Sequence, residues 1–167
     1  MSDPAQAIFE ATQRGDLSAL RKLVDTGMYA LDCANEFGDT PLLVAAASGH
    51  ADVVAYLLDA HVDITRVDTE GNDALITASE RPGNAVVIRL LLAHGADIDR
   101  RNQLGRTPLI AAAAVGDLPN VVELLRHNPA LNAESHDEET ALTFAVVNEH
   151  PEMVRVLVEA GADVHQV

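Results

Sequence analysis

Thr107-Pro-Leu-Ile-Ala-Ala is the phrase that decides the fold, because three counterparts share its register: Thr40-Pro-Leu-Leu-Val-Ala, Asp73-Ala-Leu-Ile-Thr-Ala and Thr140-Ala-Leu-Thr-Phe-Ala. Successive copies lie 33, 34 and 33 residues apart. A fixed period of this size marks a chain of small supersecondary units, each too small to bury its own apolar face. A second phrase follows downstream: Tyr56-Leu-Leu-Asp-Ala-His-Val-Asp-Ile, Leu90-Leu-Leu-Ala-His-Gly-Ala-Asp-Ile and Val156-Leu-Val-Glu-Ala-Gly-Ala-Asp-Val. Ahead of the first full copy, Gly15-Asp-Leu-Ser-Ala-Leu-Arg-Lys-Leu-Val-Asp-Thr-Gly matches the second half of a unit, and Ile8-Phe-Glu-Ala loosely matches the first half. The chain therefore divides into five units, the first atypical, at about 5–34, 35–67, 68–101, 102–134 and 135–167.

Each unit reads as two short helices and a turn. Thr40, Asp73, Thr107 and Thr140 are side chains that accept from the free N–H groups of a first helical turn, and Pro41 and Pro108 sit where a helix tolerates proline best. The first helices are expected to end at Ser48-Gly49, Pro82-Gly83 and Val115-Gly116. A second amphipathic helix follows, with apolar residues such as Val53, Val54, Leu57 and Leu58 on one face. Gly27, Gly95 and Gly161 supply its left-handed stop. Helices of two to three turns are unstable alone, so the stability of such a chain lies in stacking.

Composition agrees with one stacked body over residues 1–167. Of these 167 residues 48% are hydrophobic but only 3% aromatic, so the core is aliphatic and rich in alanine. Lys and Arg number 11 against 26 Asp and Glu, a net charge of −15, which repels nucleic acid over most of the surface. The lone Cys33 cannot form an internal disulfide, which points to a reducing, cytoplasmic setting. The first ten residues lack a basic flank before an apolar run, so no targeting segment is expected, and the apolar run Ala85 to Leu92 is broken by Arg89.

With these phrases in order at the right period, the chain resembles an ankyrin-repeat protein over about residues 5 to 167. The resemblance rests on the Thr-Pro-Leu opening, Gly49-His50 in mid-unit, the Leu-Leu of the second helix and the Gly-Ala-Asp-Ile/Val ending. It implies an all-α repeat solenoid of helix-turn-helix units joined by β-hairpin-like loops. The sequence also departs from the family pattern. Leu43, Ile76, Ile110 and Thr143 replace the histidine that usually follows Thr-Pro-Leu, so packing there is expected to be more apolar. Extra residues fall near Tyr29-Ala30 and in Ser79-Glu80-Arg81-Pro82-Gly83, and Asn128-Pro129 stands in place of Gly-Ala, each a point where the stack could bend.

Signatures of chemistry are missing. There is no Gly-x-Gly-x-x-Gly, no P-loop lysine, no Gly-x-Ser-x-Gly elbow and no His-Glu-x-x-His. His94 and His127 stand at equivalent places, with His61 displaced by one. Stacking spaces such residues about 8–10 Å apart, too far for two imidazoles to share a zinc at about 2.0–2.1 Å; they read instead as helix-end residues near the last carbonyls. His50 and His150 open second helices, and Cys33 fills space beside a turn. Glu134-Ser-His-Asp-Glu-Glu139 lacks the ligand order of a calcium loop and reads as a solvated acidic tip. No cofactor, metal or catalytic residue is expected.

What remains is a surface. The resemblance implies a concave groove, formed by the loop tips and the inner face of the first helices, that binds other proteins. Tip residues are Glu36, Phe37 and Asp39; Thr69, Glu70 and Asn72; Gln103, Leu104 and Arg106; and His136, Asp137 and Glu139. The first-helix ends add Gln13, Arg14, Ala47, Ser48, Glu80, Arg81, Ala114, Val115, Val147 and Asn148. Phe37, Leu104 and Val115 are the apolar exceptions among polar positions, and Phe37 is one of five aromatic rings. The expected function is a non-enzymatic scaffold or regulatory binding subunit, its partner a protein with basic and apolar contacts rather than a nucleic acid or membrane. An enzyme or metal-dependent activity built from groove His, Asp and Glu, and a self-assembling structural protein, are the alternatives. Gln6, Glu10 and Gln13 seal the first unit, whereas Phe144, Val146, Val147 and Val156 leave the last less polar, so a mostly monomeric protein with weak association at that end is expected.

Overall fold

A computed structural model describes residues 4–25 and 30–165. Gly27 and Tyr29, read above as a helix stop and part of an insertion, lie outside the described residues. Ten helices occur among the described residues, in pairs: α1 (Pro4–Gln13) and α2 (Leu17–Asp25), α3 (Pro41–Ser48) and α4 (Ala51–Asp59), and α5 (Ala74–Ser79) and α6 (Ala85–Ala93). Two more pairs follow, α7 (Pro108–Ala114) with α8 (Leu118–Leu125) and α9 (Ala141–Val147) with α10 (Pro151–Ala160). The odd-numbered helices stack in order as one row and the even-numbered helices as a second. No strand occurs among the described residues.

The first helices start where the caps require. The side chains of Thr40, Asp73, Thr107 and Thr140 accept from the backbone N–H of Leu43, Ile76, Ile110 and Thr143 at 3.3, 2.9, 3.4 and 3.1 Å. Leu43, Ile76 and Ile110 are buried, as the loss of histidine there leads one to expect. Thr143 differs: its hydroxyl returns to the Thr140 backbone and completes a capping box.

Between adjacent first helices lie Ala45, Ala78, Ala112 and Ala145, all fully buried. Alanine at this contact lets helices of six to ten residues approach closely. The second row contributes the larger groups, including Leu57, Ile88, Leu91, Leu124 and Leu157. Each such burial is worth about 1.5–3 kcal/mol, which is how helices unstable alone are held in place.

The second helices end on left-handed residues at Gly95 (φ 87°) and Gly161 (φ 103°), and His61 (φ 58°) and Asn128 (φ 54°) take that conformation where glycine is missing. The stack runs unbroken across residues 81–84. Asn84 donates from Nδ2 to the Ala46 carbonyl at 2.8 Å, and Asn120 donates to the Arg81 carbonyl at 2.9 Å. No helix among the described residues is long and apolar enough to cross a membrane.

Candidate partner-binding groove

The tips that frame the groove share one local structure. Asn35, Asp68, Asn102 and Ser135 each accept, through the side chain, from the N–H two and four residues later; for Asp68 these are Glu70 at 2.8 Å and Asn72 at 2.9 Å. Their own N–H groups donate to the carbonyls of Asp39, Asn72, Arg106 and Glu139, closing four hairpin-like turns. Single backbone bonds tie one tip to the next: Thr69 N–H to Phe37, Gln103 N–H to Glu70 and His136 N–H to Leu104, at 3.0, 3.0 and 2.9 Å. Buried Asn72 accepts from Asn102 Nδ2 at 2.8 Å beneath this row.

A cavity of about 430 Å³ lies between the first tips and the ends of the first helices. Its walls bring together ten of the residues expected from sequence: Gln13, Phe37, Asp39, Ala47, Ser48, Thr69, Glu70, Asn72, Glu80 and Arg81. Phe37 projects at its lip with 60% of its surface exposed. Asn72 is only 3% exposed and its amide bonds Asp68, so it props the wall rather than presenting a contact. Sequence reading missed Leu43, Val44, Asp68 and Thr77, which complete the lining. Val44 and Thr77 occupy the same place in their units, four residues after the cap, a periodic signal that could have found them.

The electrostatics are one-sided. Glu80 is half-buried and its carboxyl is held above the usual range, first by burial and then by the charges of Glu70 and Asp68. Asp39 is a further carboxylate in the lining, and Arg81 its one guanidinium.

The other expected residues fall elsewhere. Arg14 turns to the outer side of α1, 3.3 Å from Glu10 and in a different hollow from the groove. Gln103 Nε2 donates to the Thr69 carbonyl at 3.0 Å. Leu104 and Val115 are 53% and 42% exposed, and Arg106 lies over the Phe144 ring at 5.2 Å. Glu36, His136, Asp137, Val147 and Asn148 are exposed, whereas Ala114 and Glu139 are half-buried; none lines the cavity beside Phe37.

The histidines stay apart. His94 Nδ1 lies 2.9 Å from the Leu90 carbonyl, His127 sits 3.8 Å from Glu123, and His50 Nε2 lies 2.9 Å from the Gln13 carbonyl of the preceding unit. Among the described residues, no group of three or more His, Cys, Asp or Glu is placed to hold a metal.

A family model for ankyrin repeats in three copies matches residues 8–102 and again 87–167. The chain belongs to the ankyrin-repeat family. It is 35% identical over 156 residues to the ankyrin repeat and KH domain-containing protein mask-1 of Caenorhabditis elegans, which covers 93% of this chain and 6% of that protein. Human ankyrin repeat domain-containing protein 29 is 42% identical over 60 residues, 36% of this chain and 20% of that one. An L-asparaginase of Dirofilaria immitis is 28% identical over 162 residues, 97% of this chain and 27% of the enzyme. The ankyrin chain thus spans about a quarter or less of each of these relatives.

Proposed function

We propose that this ankyrin chain is one continuous, non-enzymatic binding domain, with the five units placed as in the sequence analysis, that takes another protein in the concave groove. Ankyrin repeats are in general protein-interaction modules, and the groove gives that role a location. One observation carries the reading: Phe37, a large aromatic side chain, stands exposed at the mouth of a hollow whose walls carry Asp39, Asp68, Glu70 and Glu80. An exposed ring costs solvation until something covers it, and a covered aromatic at the centre of a contact is where binding energy concentrates. The Glu80 carboxyl, raised first by burial and then by the neighbouring Glu70 and Asp68, is relieved by a cation. The partner therefore offers an apolar side chain to Phe37 and a lysine or arginine to the acidic wall. Leu104, Val115 and the later tips extend the contact.

The test is a capture from cytoplasmic extract with the parent chain and with Phe37→Ala combined with Leu104→Ala, read by mass spectrometry. The expected result is a protein held by the parent and lost by the variant, while circular dichroism shows both folded. Retention of every captured protein by the folded variant would refute the groove assignment.

A further inference from the structure

In every unit a left-handed residue stands directly before the cap of the second helix. Four of these are glycines, Gly15, Gly49, Gly83 and Gly116, with φ of 69°, 72°, 81° and 77°. In the fifth unit the residue is Glu149, with φ of 57°.

The glycines leave room for something specific. The residue that caps the second helix of the next unit comes down on each of them. A Cβ added at Gly15 would lie 2.7 Å from the ring of His50, at Gly49 2.7 Å from Asn84 Oδ1, and at Gly116 2.5 Å from His150 Nε2. Gly83 belongs to the unit with the extra residue, where a Cβ would meet nothing within 4 Å. Even so, the next cap, Asp117, arrives there and accepts from the Gly83 N–H at 2.7 Å. All four junctions thus use this place as the seat of the following unit.

At this place the fifth unit carries a side chain, that of the exposed Glu149. It lies on the outer face of the fifth unit, beside Val146, Pro151 and Val154. Val146 shows that a following unit would cover this face: it is 42% exposed, whereas Ala46, Ser79 and Ala113 at the same place in earlier units are fully buried. We propose that Glu149 closes the stack, barring in-register seating on the fifth unit of a further ankyrin unit whose cap would come down on it as His50 does on Gly15, Asn84 on Gly49 and His150 on Gly116, whether that unit comes from another protein or from a second copy of this chain. A second copy meets an added obstacle, since the cap of its first unit is Asp16, whose carboxylate would come down on that of Glu149. The proposal runs against the expectation of weak self-association at this end and is independent of the groove.

The test extends the whole chain past residue 167 with a second copy of residues 135–167, keeping Glu149 or changing the first copy to Glu149→Gly or Glu149→Ala. With Glu149 or alanine, the appended amides exchange hydrogen at the rate of an unstructured chain, and the urea m-value stays that of the parent. With glycine the appended unit docks: its exchange slows at least about tenfold, and m rises by about a fifth, in proportion to the added buried surface. Docking with Glu149 in place overturns the proposal. So does docking with alanine, whose Cβ should suffice to block the seat, or failure to dock with glycine.

Discussion

Changing Gly116 to alanine separates the cost of backbone strain from the cost of blocking a junction, because Gly83 provides a matched control. Both residues are left-handed, at φ 77° and 81°, and a Cβ in that region costs about 1–2 kcal/mol. At Gly83 the new methyl meets open space, so that strain is the whole penalty. At Gly116 the methyl would stand 2.5 Å from His150 Nε2 and 3.0 Å from Cε1, inside ordinary contact distance, so the ring must move. Overpacking of this kind adds about 1–3 kcal/mol, giving about 2–5 kcal/mol for Gly116→Ala against about 1–2 for Gly83→Ala. Urea unfolding followed by circular dichroism reads both. Combining Gly116→Ala with His150→Ala should recover most of the difference, since the clashing ring is gone. Equal costs at the two glycines, or no recovery in the double variant, would refute the view that the cap residue of one unit is seated on the glycine of the last.

Burial holds the Asp73 carboxyl above its usual range, so the folded chain binds that proton more tightly than the unfolded one and gains stability as pH falls through the raised value. Asp73→Thr, which copies the other caps, should be at least as stable as the parent at pH 7, within about 1 kcal/mol, with its advantage gone below about pH 4 in urea titrations. Glu123 behaves oppositely: the Arg89 guanidinium, at 3.0 Å, holds this buried carboxyl below its usual range, with Arg126 at 2.6 Å assisting. Its stabilisation is present above about pH 4.3 and is lost as pH falls; Glu123→Gln should cost about 1 kcal/mol at pH 7, the arginines being largely solvated, and nothing measurable near pH 2. Ala112→Leu should cost about 1–3 kcal/mol by thermal melting, because its methyl is fully buried between stacked first helices.

The parts of this fold that could be read from the sequence are those set by neighbours in the chain. Thr107-Pro108 announces a helix start because the hydroxyl and the fixed φ act within one turn, and Gly95 announces a stop for the same local reason. Contacts between units were not legible, because different residue types play one part. His50, Asn84 and Asn120 reach carbonyls of the preceding unit, and Asn35, Asp68, Asn102 and Ser135 hold the same turn with an amide, a carboxylate or a hydroxyl. The groove lies between these extremes. Phe37 stood out as a ring in a polar loop, but Asp68 and Thr77 join it only through the stacking of the second unit on the third, and Arg14, just past α1, leaves it to pair with Glu10.

The cross-unit hydrogen bonds also bear on how the chain reaches its folded form. Side-chain bonds between units join residues 30 to 39 apart, from Asn72–Asn102 to Arg81–Asn120. Among the described residues, no such bond ties the first unit to the last. Folding can therefore begin at any adjacent pair of units and spread outward, with little loop-closure entropy to overcome at each step. The central pairs, flanked on both sides, form the natural nucleus, and the outer units melt first when denaturant is added. Damage at one end is then contained: a destabilising substitution in α10 speeds hydrogen exchange in the last unit, leaves it unchanged near α1, and shortens the ordered stack by a unit instead of collapsing it.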